Sequence, residues 1–455
     1  MSRRSVDAAH PRIRPHRGRG HGLSGLIAYA TEADVAIHTL EVSVAGETVA
    51  REGVAPFGVD VPHRLYSVSK SITGLAVLML AHEGRLRLDA RIVDYFPEMS
   101  PVHPWLAETS IDDMLAMTGP HSRTTYDPAS DGWLESYFRV VPTHRPGTVF
   151  TYDTSASYVL ASLVERLTGE ALLEFLRPRL LDPLGIGAGA RFRTGPEGHS
   201  HGGSGLVAAP GDLLRIAEVL NRRGAWRGAQ VIPGAVADGL LEWRSDPGTQ
   251  TWGAPLRAGY GRQVWLPDEE SWLMFGLGGQ LVYGHPERDL AAVMTADTTM
   301  LASGDQRLLE AFLLALDSSD AGAGIHLAAP TPEHDDANAT ALRGSYSQIT
   351  GENAPHLLEV DVDAEGGVLR WGLGEGVTFC VLQPLVAASS LGDAVITAGW
   401  FAPGRLDVRI TAAADDIASV RMRIVVSDDG VLTVMSQGFG PEIHPAWTWR
   451  GSYRR

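Results

Sequence analysis

From Val35 to Gly53 apolar and polar residues alternate around Gly46, a pattern that predicts a β-hairpin. The period then lengthens. In HRLYSVSKSITGLAVLMLAHEGRL, Ile72, Leu75, Ala76, Met79 and Leu80 recur at helical spacing, and Gly84 supplies a stop. Helical patterns punctuated by proline and glycine continue to about residue 220, among them Ser155 to Leu167 with Gly169 as C-cap. Strand character returns between Trp272 and Ala296, as the runs LVYG and LAAVMTA joined by the turn His285-Pro286-Glu287-Arg288. A last helix over Arg307 to Leu316 is expected to pack back on that sheet. At Asp317 the character changes: DSSDAGAGIHLAAPTPEHDDANAT is small, polar and proline-rich, which predicts a linker over 317–340. Beyond it, short alternating segments such as HLLEVDV, GVLRW, DVRI and RMRIVV, set between glycine and aspartate turns, predict a small all-β barrel or sandwich over 341–455. Residues 1–22 carry arginine, histidine, proline and glycine without periodicity and read as a flexible basic arm, which leaves 23–316 as the main domain.

Composition narrows the classes. With 455 residues and 44% of them hydrophobic, the chain has enough apolar material for one large and one small core, and wholesale disorder is excluded. A formal charge of -16 argues against nucleic acid or an anionic membrane as the main partner. The single cysteine, Cys380, rules out a disulfide framework and a multi-cysteine metal cage, and its setting in VTFCVL predicts a core position. No apolar run approaches a membrane span, and the start of the chain lacks the apolar middle of a secretory signal despite Arg3-Arg4. The expectation is a soluble, cytoplasmic monomer or homodimer whose partners are small molecules, with no nucleic acid and no membrane.

One count points to chemistry. All but one of the 38 basic residues is arginine, and the exception is Lys70. Arginine does not give up its proton in a protein, whereas a buried lysine can be tuned to do so. Lys70 closes the sequence Ser67-Val68-Ser69-Lys70 at the start of the apolar helix, and residues i and i+3 share a helix face, so hydroxyl and amine can exchange a proton. A serine in the first helical turn also lies at the positive end of the helix dipole. Downstream, Pro146-Gly147 makes a turn, a short extended segment presents Tyr152, and Asp153 or Thr154 can cap the next helix. Tyr152 taken alone fits a core tyrosine equally well. Phe275-Gly276-Leu277-Gly278-Gly279-Gln280 brings paired glycines to a strand start, where a backbone N–H could complete an oxyanion hole with that of Ser67; a tight hairpin is the other reading. Weaker signals carry less. His199-Ser200-His201 reads as a loop with no third metal ligand nearby, Asp112-Asp113 and Glu269-Glu270 as caps or solvated faces, Gly372-Leu373-Gly374-Glu375-Gly376 as a turn without a P-loop lysine, and Trp447 with Trp449 as one face of a closing barrel strand.

The order of S-x-x-K, tyrosine motif and glycine-rich strand resembles the serine β-lactamase and penicillin-binding protein superfamily. More narrowly it resembles the class C-like branch of esterases, amidases, D-amino-acid peptidases and acyltransferases. YSVSKSITGLAVLMLAHEGRLRLDARIVDYFPE, IDDMLAMTG and GGSGLVAAPGDLLRIAEVL add to the likeness, which covers roughly residues 35–316. It implies an α/β fold of the α+β type: an antiparallel sheet flanked by helices, a helical subdomain, and the serine in the cleft between them. The separate C-terminal domain is expected to be a lipocalin-like barrel. By the resemblance Ser67 is the acyl-forming nucleophile, Lys70 its base partner and Tyr152 the proton relay. The N–H groups of Ser67 and Gln280 form the oxyanion hole, with Leu277, Gly278, Gly279 and Thr154 lining the substrate site. No cofactor and no metal is implied. The chain departs from the family twice: the usual Y-x-N is Tyr152-Asp153-Thr154, and the usual K-T-G or H-x-G is Leu277-Gly278-Gly279. The lost cation tells against β-lactamase and cell-wall peptidase activity, although Arg145, Arg257 or Arg262 could replace it from another loop. The expected function is hydrolysis or transfer of the acyl group of a small ester or amide, with water or an amine as acceptor. The alternatives are a D-amino-acid peptidase or amidase, a weak β-lactamase, or a non-enzymatic ligand-binding or regulatory protein on the same fold.

Overall fold

In the computed structural model, which describes residues 22–455 apart from 249, 251, 318–324, 372–374, 382 and 414–415, the first alternating segment is a hairpin of strands Ala36–Val44 and Glu47–Gly53. Gly46 turns it at φ +82°, a left-handed conformation that costs glycine no Cβ clash. The basic arm lies outside the described residues except for Gly22, and so do Gly372, Leu373 and Gly374. The hairpin forms one edge of a five-stranded antiparallel sheet ordered Glu47–Gly53, Ala36–Val44, Leu290–Asp297, Gln280–His285, Trp272–Gly276. The region read as two runs therefore supplies three strands, because the turn at 277–279 divides what looks continuous in sequence.

Helices cover both faces. Gly22–Glu32, a helix that was not expected although Leu23, Leu26, Ile27 and Ala30 recur at helical spacing, packs with Gly304–Asp317 on one face, around Leu26, Leu40, Leu308 and Phe312. On the other lie Val68–His82 and Pro210–Asn221. Every residue from Val68 to Leu80 is buried, so this helix is central, with no solvent face to carry charge. Beyond it the helical subdomain is built around Thr154–Thr168, capped by the Asp153 carboxylate at its start and by Gly169, φ +77°, at its end. No helix of the described residues is long and apolar enough to cross a membrane.

The C-terminal region is a nearly closed barrel of ten antiparallel strands, running in sheet order from Glu375–Cys380 through Leu342–Glu352 and Trp449–Arg454 to Leu385–Ser389. Alternation is plain in Leu357–Val362, whose every second residue is buried. Its interior is filled by the chain's own side chains, Trp371, Trp400, Trp447, Trp449 and Tyr453 among them. Trp447 belongs to the short helical turn Pro445–Trp447 rather than to the strand, yet it and Trp449 meet the same Trp371 ring, at 5.5 and 5.9 Å between centroids. Cys380 is half-buried at a strand end. The described part of the proline-rich connection runs along the barrel: the Thr397 hydroxyl donates to the Pro330 carbonyl at 2.8 Å, and the Asp335 N–H to that of Trp400 at 2.8 Å.

Candidate active site

The short strand His63–Arg64 pairs with Leu206–Ala208 and delivers the chain to Ser67, the N-cap of the central helix. Tyr66 immediately before it is held at φ +46°, a conformation unusual for a side chain of its size. The Ser67 hydroxyl caps no backbone group. It instead meets Lys70 Nζ at 3.0 Å and the Tyr152 hydroxyl. One turn on, the Lys70 side chain is 1% exposed and its Nζ also donates to the Gly203 carbonyl at 2.6 Å and to Thr154 Oγ1 at 3.2 Å. Burial among apolar helices pulls the Lys70 ammonium down to about 7, opposed by the negative charge of Asp153. Near neutral pH the amine is thus poised between its two forms, which an arginine could not be.

Tyr152 arrives from the extended segment before the Thr154–Thr168 helix. Its ring stacks on Trp265, 5.5 Å between centroids at 21°, meets Trp252 edge-on at 5.3 Å, and lies 4.8 Å from Lys70 Nζ. Burial raises its hydroxyl well above the ordinary tyrosine value, so it is protonated at neutral pH, and the bond to Ser67 pulls the other way. Asp153 is buried and pushed up to about 6 by that burial, while accepting from the Ser155 N–H at 2.8 Å and from the Ser155 hydroxyl. Thr154, the third residue of Tyr152-Asp153-Thr154, accepts a hydrogen bond from Lys70 Nζ with its hydroxyl.

The glycine-rich segment is a tight hairpin rather than the start of a single strand: Leu277-Gly278-Gly279 turn between Trp272–Gly276 and Gln280–His285. Gly278 and Gly279 have φ of +83° and +87°, which side-chain-bearing residues adopt only under strain. The hairpin lies against the segment leading to Ser67, since a methyl group at Gly276 would collide with the Leu65 carbonyl. The Gly278 N–H donates to Asp305 Oδ1 at 3.0 Å, and the buried Gln280 amide donates to the carbonyls of Ala296 at 2.7 Å and Leu277 at 3.2 Å. Leu277 is 44% exposed.

Of the three arginines that could supply the missing cation, two are held in ion pairs. Arg145 pairs with Glu108, and Arg262 with Asp112 and Glu242. Arg257 donates to the Trp252 carbonyl at 2.7 Å. The two histidines of His199-Ser200-His201 point to different partners, His199 to Glu165 at 2.8 Å and His201 to the Tyr126 hydroxyl at 3.0 Å. Asp113 forms a capping box with Ser110, whereas Asp112 is an ion-pair partner for Arg244 and Arg262. Two groups of the site escaped sequence reasoning. The Gly203 carbonyl carries no side-chain signal beyond the run Gly202-Gly203-Ser204-Gly205, and Asp153, a helix cap by sequence and in the fold, is also a buried carboxylate whose charge acts on Lys70.

A family model described as Beta-lactamase matches residues 39–315. The 6-aminohexanoate-dimer hydrolase of Paenarthrobacter ureafaciens is 27% identical over 272 residues, which cover 54% of this chain and 69% of that protein. The lovastatin esterase of Penicillium rubens is 28% identical over 193 residues, 36% of this chain and 48% of its own length, so the match spans about half of that relative. The structure of the octameric penicillin-binding protein homologue from Pyrococcus abyssi shares the fold with a TM-score of 0.51 at 15% identity, over 94% of this chain and 98% of its own, C-terminal barrel included.

Proposed function

We propose that this chain, which belongs to the β-lactamase family, is an acyl-serine hydrolase of small, uncharged esters or amides, with Ser67 as nucleophile, Lys70 as base and Tyr152 as proton relay. The observation that carries the reading is Lys70: the sole lysine, buried, 3.0 Å from the Ser67 hydroxyl and held near neutrality. The neutral amine accepts the Ser67 proton as the Ser67 oxygen adds to the donor carbonyl. The resulting oxyanion is met by the backbone N–H groups of Ser67 and Gln280. Tyr152, protonated and bonded to Ser67, gives its proton to the departing alcohol or amine and is reprotonated from Lys70. Deacylation reverses the route with water, or with an amine where transfer occurs.

An uncharged donor is favoured by what surrounds the turn. Leu277 offers neither charge nor hydrogen bond, and Arg145 and Arg262 are held in ion pairs with Glu108 and with Asp112 and Glu242. The comparison is a panel of neutral esters and amides and their free-acid counterparts, assayed by kcat/KM with the native protein and with Ser67→Ala. Turnover of neutral donors that vanishes in Ser67→Ala supports the reading. Undiminished turnover in that variant would refute the nucleophile assignment, and a tenfold preference for free acids, about 1.4 kcal/mol in their favour, would refute the neutral subsite.

A further inference from the structure

The barrel touches the other domain at the residue that precedes Ser67. The Tyr66 hydroxyl, one residue before Ser67, donates to Asp416 Oδ1 at 2.8 Å and accepts the Ile417 N–H at 3.1 Å. Arg64 on the same lead-in pairs with Asp416 and with Glu442 at 2.9 Å, and Arg193 bridges Asp416 at 2.8 Å and Glu442 at 3.2 Å. The Asp416 carboxylate thus uses both oxygens on three partners from the other domain. Next to it Ile417, 3% exposed, packs with Phe57 and Tyr66. Its side chain lies over Gly278, where any Cβ would collide with Ile417 Cδ1. The Ser419 hydroxyl, two residues on, donates to Asp297 Oδ2 at 2.6 Å, and Arg409 and Arg421 grip Asp34, so the barrel is fixed to the sheet on that side too.

We infer that the Asp416–Ile417 segment of the barrel completes the active site: Asp416 and the Ile417 N–H hold Tyr66 in the left-handed conformation that aims Ser67, and the Ile417 side chain forms the barrel-side wall of the donor pocket beside Leu277 and Gly278. The inference rests on the acyl-serine reading and adds to it a positioning residue and a determinant of donor size. A left-handed tyrosine persists only where its surroundings hold it, and the partners that hold this hydroxyl come from the other domain. Burial keeps the Tyr66 hydroxyl protonated and therefore able to donate to Asp416. Gly278 fits the same scheme from the opposite side: its N–H is tied to Asp305 while its bare α-carbon leaves room for Ile417.

The test uses the full chain, a fluorophosphonate as probe of Ser67, and a pair of neutral p-nitrophenyl esters, acetate and hexanoate. Asp416→Ala and Tyr66→Phe should each slow Ser67 labelling about tenfold or more, as expected for a nucleophile displaced by a fraction of an ångström. Asp416→Asn, which still accepts from Tyr66, should recover part of the rate. Ile417→Ala should raise kcat/KM for the hexanoate relative to the acetate, a change of ratio that mere loss of stability would not give. Circular dichroism identifies any variant that fails to fold, and Tyr66→Phe with Ile417→Ala then decide the matter without Asp416→Ala. Native labelling rates in Asp416→Ala and Tyr66→Phe with an unchanged ester ratio in Ile417→Ala overturn the inference while leaving Ser67 in place. Labelling that persists in Ser67→Ala overturns the acyl-serine reading instead.

Discussion

Replacing Lys70 by methionine isolates the property on which the proposed mechanism depends, and it does so without a substrate. The ordinary lysine value of 10.5 falls to about 7 in the fold, chiefly by burial. That difference corresponds to roughly 5 kcal/mol of preference for the neutral amine. In the unfolded chain Lys70 keeps its proton up to about pH 10.5, whereas in the fold it releases it near pH 7. Between those values the unfolded state binds more protons, so this group's contribution to stability rises with pH, and its full penalty applies below pH 7. Integrated from pH 7 to pH 9, the native protein should gain about 2 kcal/mol relative to Lys70→Met, which lacks the titration. Urea denaturation of both proteins at the two pH values measures the change in their stability gap. A gap that stays constant, or moves the other way, would mean that Lys70 keeps its proton in the fold and cannot serve as the base.

Lys70→Arg retains the charge and loses the neutral amine, so kcat/KM should fall by about 10²–10⁴-fold in the folded variant; full activity would reduce Lys70 to an electrostatic role. Asp153→Asn keeps a good helix cap but removes the charge that raises the Lys70 value, so the rising limb of the pH profile of kcat/KM should move to lower pH. A limb that stays in place or moves upward would contradict the coupling. Leu277→Lys should shift donor preference towards free acids, read as the ratio of kcat/KM for an acid and its methyl ester; an unchanged ratio would place the subsite elsewhere.

The sequence exposed those features that depend on neighbours along the chain. The period of Ile72, Leu75, Ala76 and Met79, the spacing of Ser67 and Lys70, and the alternation of the barrel strands are all local, and they appear where the pattern puts them. The single lysine was the sharpest signal, because its rarity marked the position before any geometry existed. What stayed hidden is set by contacts distant in sequence. The glycine turn at 277–279 is not among these: a tight hairpin is one of the two readings its sequence allows, and the local pairing of Gly276 with Gln280 selects it. Asp153 reads only as a helix cap, and the packing around the Thr154–Thr168 helix makes it a buried carboxylate beside Lys70 as well. The contact of Tyr66 with Asp416 joins residues 350 apart, and no local pattern announces it.

In the proposed mechanism Ser67 carries the acyl group. Incubating the native protein with a fluorophosphonate, reading the intact mass and mapping the adduct by peptide fragmentation tests it most directly. One adduct per chain is expected, located on Ser67, formed faster as pH rises through about 7 with the Lys70 amine, and absent in Ser67→Ala. An adduct on Ser69 or Ser71, or undiminished labelling of the Ser67→Ala chain, would contradict it.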